Sequence, residues 1–143
     1  RDRSNGTENE YISAVHDTVS EAVKRQLIAD VPVGAFLSGG IDSSIVVGLM
    51  SQLMSQPVKT FSIAFEDTTL DESKYQKEVS EFLGTNHQSL YIKNNDIAQS
   101  FCNALWHSET PVFRTAFVPM YLLSKMVHKS GIKVVLTGEV LHW

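Results

Sequence analysis

The residue types best suited to chemistry lie in one segment, Phe36 to Ser44, which reads FLSGGIDSS. An apolar run stops there, two glycines permit positive φ angles and close backbone approach, and a helical pattern begins. Backbone N–H groups in such a turn point at a shared spot on the helix axis and form an anion site. The segment therefore predicts phosphate binding, and the alternative without function is a tight turn followed by a helix cap.

Polar side chains in this segment narrow the chemistry. Ser38, Ser43 and Ser44 add hydroxyl donors, whereas Asp42 puts a carboxylate where phosphate would lie. A bridging Mg²⁺ ion would resolve that repulsion. The Gly-Lys-Ser/Thr triplet of a Walker A loop is missing, which favours a bound pyrophosphate unit over terminal phosphoryl transfer. The Gly-x-Ser-x-Gly pattern of serine hydrolases is missing too.

The surrounding pattern predicts the elements that position this segment. A capping box at Thr7–Glu10 starts a helix ending near Ala29, and apolar strands follow at 33–37, 58–65, 88–92 and 132–136. Helices are predicted between them, one with an inner face of Tyr75, Val79, Phe82 and Leu83, and two before the last strand. Strands alternating with helices predict a three-layer α/β/α fold with a mainly parallel sheet. Two strands end in small polar turns, Ser38-Gly39-Gly40 and Thr137-Gly138-Glu139, and ligands of such sheets bind at the carboxyl ends of the strands, so the site should lie between these turns.

Composition limits the function classes. The chain has 143 residues, of which 43% are hydrophobic and 20% charged, so it is one globular domain or part of one. A net charge of −4 without a basic stripe argues against nucleic acid as a partner. The single cysteine, Cys102, excludes an internal disulfide; we expect a buried thiol, with a nucleophile as the alternative. No signal peptide or membrane-spanning run is visible, which predicts a cytoplasmic location.

Further motifs follow in an ordered series along the chain. They are VPVG at 31–34, TFSIAFED at 60–67, DESKY at 71–75, LGTNH at 83–87, SETPVFRTA at 108–116, PMYLLSK at 119–125 and GIKVVLTGE at 131–139. Together with SGGIDSS they resemble the synthetase domain of glutamine-hydrolysing asparagine synthetase, an N-type ATP pyrophosphatase. The resemblance implies an adenine nucleotide alpha hydrolase-like fold, here cut after about four strands.

The resemblance also implies a reaction and a set of site residues. Such enzymes use ATP and Mg²⁺ to adenylate the aspartate side chain, release pyrophosphate, and amidate with ammonia from a glutaminase domain. The implied pyrophosphate loop is Ser38, Gly39, Gly40, Asp42, Ser43 and Ser44, with Asp42 on the metal. Leu37 and Ile63 resemble adenine-side contacts, or simple strand core, and Thr137 and Gly138 resemble a nucleotide-contacting turn. Glu139 resembles the carboxylate that handles the ammonia proton, and Arg114 a basic group near aspartate, or a surface arginine.

The chain also departs from that family pattern. Val140 and His142 replace a glycine and an aspartate, and neither the later helices nor the glutaminase domain is in the sequence. We therefore expect residues 1–6 to be a lead-in and 7–143 a partial domain that does not complete the reaction alone. The alternative function is an inactive remnant serving as a nucleotide-binding or interaction module. We expect a homo-oligomer with Leu141 and Trp143 in the contact. The acyl substrate stays open, because β-lactam-forming relatives share the loop.

Overall fold

The computed structural model describes residues 6–113 and 116–138, and these ranges contain four strands and five helices. The strands are β1 (Val33–Phe36), β2 (Lys59–Phe65), β3 (Asn86–Ile92) and β4 (Val134–Leu136). The helices are α1 (Glu8–Gln26), α2 (Ile41–Leu53), α3 (Ser73–Leu83), α4 (Asn94–Ser108) and α5 (Phe117–Lys129). Their order confirms the predicted alternation, and the predicted boundaries differ only by a few residues at element ends.

All four strands form one sheet in the order β3-β2-β1-β4, and every neighbouring pair is parallel. Ala35 of β1 pairs with Thr60 on one side and with Leu136 on the other. The chain builds outward from β1 to β3 and then crosses to the far side of β1 for β4. This reversal leaves a crevice beyond the carboxyl ends of β1 and β4, where parallel sheets bind ligands.

Helices cover both faces of the sheet, which confirms the predicted three-layer α/β/α fold. On one face, α1, α2 and α3 enclose a core that includes the fully buried Leu37 and Met50. On the other face, α5 packs Leu123 against Phe61 of β2. The two cores hold β1 and β2 from both sides, so the strand ends that carry the site residues have fixed positions.

The N-terminal helix is capped as predicted but uses only part of its apolar face. The Glu10 carboxylate accepts hydrogen bonds from the backbone N–H of Thr7 at 2.6 Å and from its hydroxyl at 3.0 Å. These two bonds hold the pKa of Glu10 below its usual value. Val23 is buried, whereas three earlier apolar side chains are exposed: Tyr11, Ile12 and Val15. Only the C-terminal half of α1 therefore contributes to the core.

Helix α4 lies outermost, because it packs chiefly against α5. It buries only Ala104 among its own residues. Cys102 is exposed, so the prediction of a buried thiol was wrong. Helical spacing of apolar residues around Cys102 indicated an inner position, but no described element covers that side of α4. In residues 6–113 and 116–138, no helix combines the length and hydropathy needed to cross a membrane.

Candidate functional site

The glycine-rich turn follows β1 directly and is anchored to the neighbouring strand. The backbone N–H of Leu37 donates to the carbonyl oxygen of Phe61 at 2.9 Å. Gly39 then adopts φ +86°, where a Cβ would lie 3.0 Å from the Cβ of Tyr75. Gly40, with extended backbone, is the N-cap of α2. A side chain at Gly39 would be both strained and crowded, so the chain can turn this tightly only with glycine there.

Three serine hydroxyls close this turn. The hydroxyls of Ser43 and Ser44 donate to the carbonyl oxygen of Gly40 at 3.1 Å and 2.7 Å. Because the Ser43 hydrogen is used there, Ser38 must be the donor in the 2.9 Å contact between the Ser38 and Ser43 hydroxyls. The serines thus hold the turn in shape with their own hydrogens. The first-turn N–H groups of α2, which have no intrahelical acceptors, are the donors left for an anion.

The second turn, Thr137 and Gly138, lies against the first turn of α2. A Cβ built on Gly138 would lie 2.5 Å from the backbone nitrogen of Ser43 and 2.7 Å from the carbonyl carbon of Asp42. Real Cβ contacts are not that short, so this position requires glycine. The close approach puts Gly138 of the second turn directly against the glycine-rich turn and the start of α2.

A cavity of about 680 Å³ opens at this edge, a size typical of small-molecule sites. Its polar lining consists of Ser38, Gly40, Asp42, Ser43, Ser62, Glu72, Gln76, Thr137 and Gly138. Its apolar lining consists of Phe36, Leu37, Phe61, Ile63, Phe65, Leu70, Met120 and Leu123. The structure therefore brings eight of the predicted site residues to the lining of one cavity: Leu37, Ser38, Gly40, Asp42, Ser43, Ile63, Thr137 and Gly138. Gly39 and Ser44 shape the turn without lining the cavity.

Two exposed carboxylates line the cavity, Asp42 in the first turn of α2 and Glu72 just before α3. In the part of the chain that the structure describes, no three His, Cys, Asp or Glu residues form a metal-binding group. Mg²⁺ at phosphate sites needs only one or two carboxylates, because phosphate and water supply its other ligands. The cavity lining offers two carboxylates. Asp71 instead shapes the β2–α3 loop. The Ser73 hydroxyl at 2.6 Å, and more weakly the Phe65 N–H, hold the pKa of Asp71 below its usual value.

Helix α3 supplies a cavity residue that sequence reasoning missed. The predicted inner face included Tyr75 and Phe82, but both are exposed, and Gln76 and Ser80 are buried instead. Gln76, Val79, Ser80 and Leu83 have the spacing of one helix face. That spacing was available in the sequence, but polar residues at two of the four positions concealed it.

Two histidines make hydrogen bonds within the fold, His87 to the neighbouring strand and His107 within its own helix. His87 lies with Nδ1 2.9 Å from the Thr60 hydroxyl and Nε2 3.1 Å from the Ser62 hydroxyl. Burial lowers the pKa of His87 below its ordinary value of 6.5. His107 lies with Nδ1 2.8 Å from the carbonyl oxygen of Asn103. We call His87, Thr60 and Ser62 the His87 cluster. Of the two histidines, only His87 is connected to the cavity, because Ser62 lines it.

Several predicted residues lie outside the described ranges. They are the two candidate catalytic residues Arg114 and Glu139, the divergent Val140 and His142, and the candidate contact residues Leu141 and Trp143. Their predicted roles therefore stay predictions.

Solved structures with the same arrangement define the fold class. NMN synthetase from Francisella tularensis superposes with a TM-score of 0.53 and 19% identity, covering 91% of this chain and 54% of that one. The NH3-dependent NAD synthetase from Campylobacter jejuni gives 0.51 and 17%, covering 90% of this chain and 56% of that one. The chain thus has the adenine nucleotide alpha hydrolase-like fold.

Sequence comparison then identifies the family. Residues 14–140 match the family model for asparagine synthase, so the chain belongs to the asparagine synthase family. It is 37% identical to Amidase chyE of Penicillium rubens over 93% of this chain and 22% of that protein. It is 33% identical to Asparagine synthetase [glutamine-hydrolyzing] 1 of Bacillus subtilis over 92% of this chain and 21% of that protein. The chain spans about a fifth of the length of these curated relatives.

Proposed function

We propose that the cavity binds ATP, with adenosine in its apolar part and the phosphates at the glycine-rich turn. The observation that carries this proposal is that the N-terminus of α2 and the apolar strand ends line one continuous cavity. A helix N-terminus favours phosphate because its free N–H groups and its dipole both attract negative charge. In this arrangement Leu37 and Ile63 flank the base, and Thr137 and Gly138 lie beside the phosphates.

Asp42 is the proposed Mg²⁺ ligand, and Glu72 is a second acid in the lining of the same cavity. Without a cation, the Asp42 carboxylate would repel a phosphate at the start of α2. A bound Mg²⁺ ion would neutralise phosphate charge and ease the departure of pyrophosphate. Asp42 lies in a turn that Ser43 and Ser44 stabilise, because both hydroxyls donate hydrogen bonds to the carbonyl oxygen of Gly40.

For the chemical step we propose adenylation of a carboxylate. A carboxylate oxygen attacks the α-phosphorus, the bond between the α-phosphorus and its bridging oxygen breaks, and pyrophosphate leaves with the electron pair. Ammonia then displaces AMP from the acyl group, and Glu139 takes up an ammonia proton. Arg114 is proposed to attract the substrate carboxylate. Because the chain spans about a fifth of its relatives, this step is proposed for the region acting with further protein and a supply of ammonia.

The acyl substrate is proposed to be aspartate or a related carboxylic acid. One relative is named an asparagine synthetase and another an amidase, so relatives of similar identity differ in name. The described turn and cavity residues fit the nucleotide. Arg114, the residue proposed for the acyl group, lies outside the described ranges.

A second candidate function is an interaction module, favoured by the apolar surface of α4. Leu105 and Trp106 of α4 are exposed, as is Phe113 in the loop after α4, Trp106 by 83% and Phe113 by 97%. We call these three residues the α4 surface. Large exposed apolar side chains close in sequence are typical of contact surfaces. We propose that this surface joins two copies of the chain in solution.

Calorimetric titration with Mg·ATP tests the nucleotide proposal. We expect saturable binding by the unmodified chain, and Asp42→Ala should weaken it at least about tenfold because the metal loses its carboxylate. Asp30→Ala, which removes an exposed aspartate outside the cavity, is the matched control and should bind normally. Equal binding by Asp42→Ala and wild type would contradict the assigned role of Asp42. Pyrophosphate release with aspartate, abolished by Asp42→Ala, would favour the enzyme over the inactive module.

A further inference from the structure

Gln76 is a buried glutamine in the cavity wall, with 4% of its surface exposed. Its Nε2 donates to the carbonyl oxygen of Ile63 at 3.0 Å and faces the carbonyl oxygen of Ser38 at 3.5 Å. Both neighbours are acceptors, so reversing the amide would set oxygen against oxygen. The contacts therefore fix which side of the amide carries Oε1.

The Oε1 atom of Gln76 is buried and has no hydrogen-bond partner among the described residues. Buried polar atoms without a partner are rare and call for an explanation. The hydroxyls of Ser20 and Ser51 share this property, but neither residue lines the cavity. The cavity is therefore the place from which a donor for Gln76 is expected, with a small adjustment of the side chain at the wall.

A second acceptor on the same wall follows from counting hydrogens in a buried chain of side chains. Thr85 donates its hydroxyl hydrogen to Ser80 at 3.0 Å. The 2.9 Å contact between Thr60 and Thr85 must then use the hydrogen of Thr60. Thr60 consequently accepts a hydrogen bond from Nδ1–H of His87 at 2.9 Å.

This chain of donors determines what Ser62 offers to the cavity. Burial lowers the pKa of His87 below its ordinary value, so the ring is neutral at neutral pH. With Nδ1 protonated, Nε2 is an acceptor, and Ser62 donates its hydroxyl hydrogen to it at 3.1 Å. Ser62 is then left with lone pairs only. Gln76 and Ser62 together make this side of the cavity an acceptor wall.

We propose that Gln76, supported by Ser62, selects for a hydrogen-bond donor on the nucleoside half of the bound nucleotide. The inference rests on the proposed binding of ATP and deepens it by assigning a specificity-determining residue. Adenosine carries two kinds of donor, the exocyclic amine of the base and the hydroxyls of the ribose. A nucleotide that lacks the donor leaves the Gln76 oxygen unpaired in a buried site, which weakens binding.

Binding of four nucleotides to the unmodified chain tests this directly. Calorimetry would compare Mg·ATP with Mg·ITP, which replaces the amine by oxygen, and with the 2′-deoxy and 3′-deoxy forms of ATP. We expect at least one analogue to bind about 10- to 100-fold more weakly. Loss with ITP assigns the base amine, and loss with a deoxy analogue assigns the ribose. Equal affinity for all four would overturn the inference while leaving ATP binding intact. No binding of any nucleotide would overturn the inference and the proposed function together.

Paired glutamine variants test whether Gln76 determines nucleotide specificity or only supports the fold. Gln76→Leu should abolish the preference between ATP and the poor analogue. Gln88→Leu is the matched control, because its Oε1 accepts from the Ser130 hydroxyl at 2.9 Å outside the cavity. The control should retain the preference. An unchanged preference in folded Gln76→Leu would overturn the inference. If that variant does not fold, the nucleotide series on the unmodified chain decides alone.

Discussion

Helices α2 and α4 are of similar size, with 13 and 15 residues, but they are used in different ways. Four residues of α2 are buried, among them Val47 and Met50 with no exposed surface. Helix α4 buries one, Ala104, and leaves Trp106 83% exposed. The inner helix is held between the sheet and α1, whereas the outer helix lies on α5.

This difference explains why the candidate site is at the start of α2. Free N–H groups at a helix N-terminus attract phosphate best when the helix cannot reorient, because no binding energy is then spent on ordering it. The core under Met50 and the Gly138 turn hold α2 at both ends. Helix α4 has no comparable support and presents side chains instead of backbone groups. Its apolar surface therefore suits contact with another chain.

The largest combined effect, on stability and on nucleotide binding together, is expected where the second turn touches α2. Gly138→Ala would bring a Cβ within 2.5 Å of the backbone nitrogen of Ser43, so the turn or the helix must move. We expect the free energy of unfolding to fall by about 2–3 kcal/mol, as for overpacked cores, and Mg·ATP binding to be lost. Denaturant unfolding and calorimetry would measure the two effects.

The control for that substitution lies within α2, the helix that Gly138 contacts. Gly48→Ala adds a methyl group whose nearest neighbour, Leu83 Cδ2, lies 3.9 Å away. It should raise the free energy of unfolding by about 0.5–1 kcal/mol, because glycine in a helix interior is unfavourable. If both variants had the same stability, the contact between Gly138 and α2 would not be the constraint described above.

A smaller effect is expected from pH at the His87 cluster. Burial lowers the pKa of folded His87 below its ordinary value of 6.5, so the unfolded chain binds the proton more readily. Stability from this residue is complete above about pH 6.5 and falls as the pH drops through that value. Unfolding free energies measured at about pH 7 and about pH 5 should show this slope, and His87→Gln should reduce it. His107→Gln, at an exposed histidine, is the control, and an unchanged slope in His87→Gln would contradict the prediction.

The glycine-rich turn could be predicted because its chemistry is local. The segment from Phe36 to Ser44 contains the strand end, the glycine with positive φ and the helix start, so residue types alone indicate the anion site. The choice of Thr137 and Gly138 as a second part of the site followed from one further rule, that ligands of parallel sheets bind at the carboxyl ends of the strands. The direct contact of Gly138 with α2 was not predicted.

Other parts of the site depend on packing between distant segments. Gln76 enters the cavity wall because α3 crosses the end of β2, and His87 meets Thr60 because their positions pair in the β2–β3 register. Neither relationship is encoded within a single window of sequence. Cys102 was placed wrongly for a related reason. Helical spacing shows that a helix has an apolar face, but it does not show whether another element covers it.

The smallest effect on stability is expected at the exposed surface of α4. Trp106→Ser should change the free energy of unfolding by less than about 0.5 kcal/mol, whereas Met50→Ala in the buried helix should cost about 2–5 kcal/mol. The same Trp106→Ser variant, combined with Phe113→Ser, should reduce the molar mass that light scattering measures if the α4 surface joins two copies. The Met50 variant does not touch that surface, so any folded fraction of it should keep the wild-type mass. A wild-type chain that is monomeric at high concentration would contradict the proposed contact. The apolar residues of the α4 surface would then be exposed positions whose substitution does not change the free energy of unfolding. The difference between α2 and α4 would then be one of stability alone.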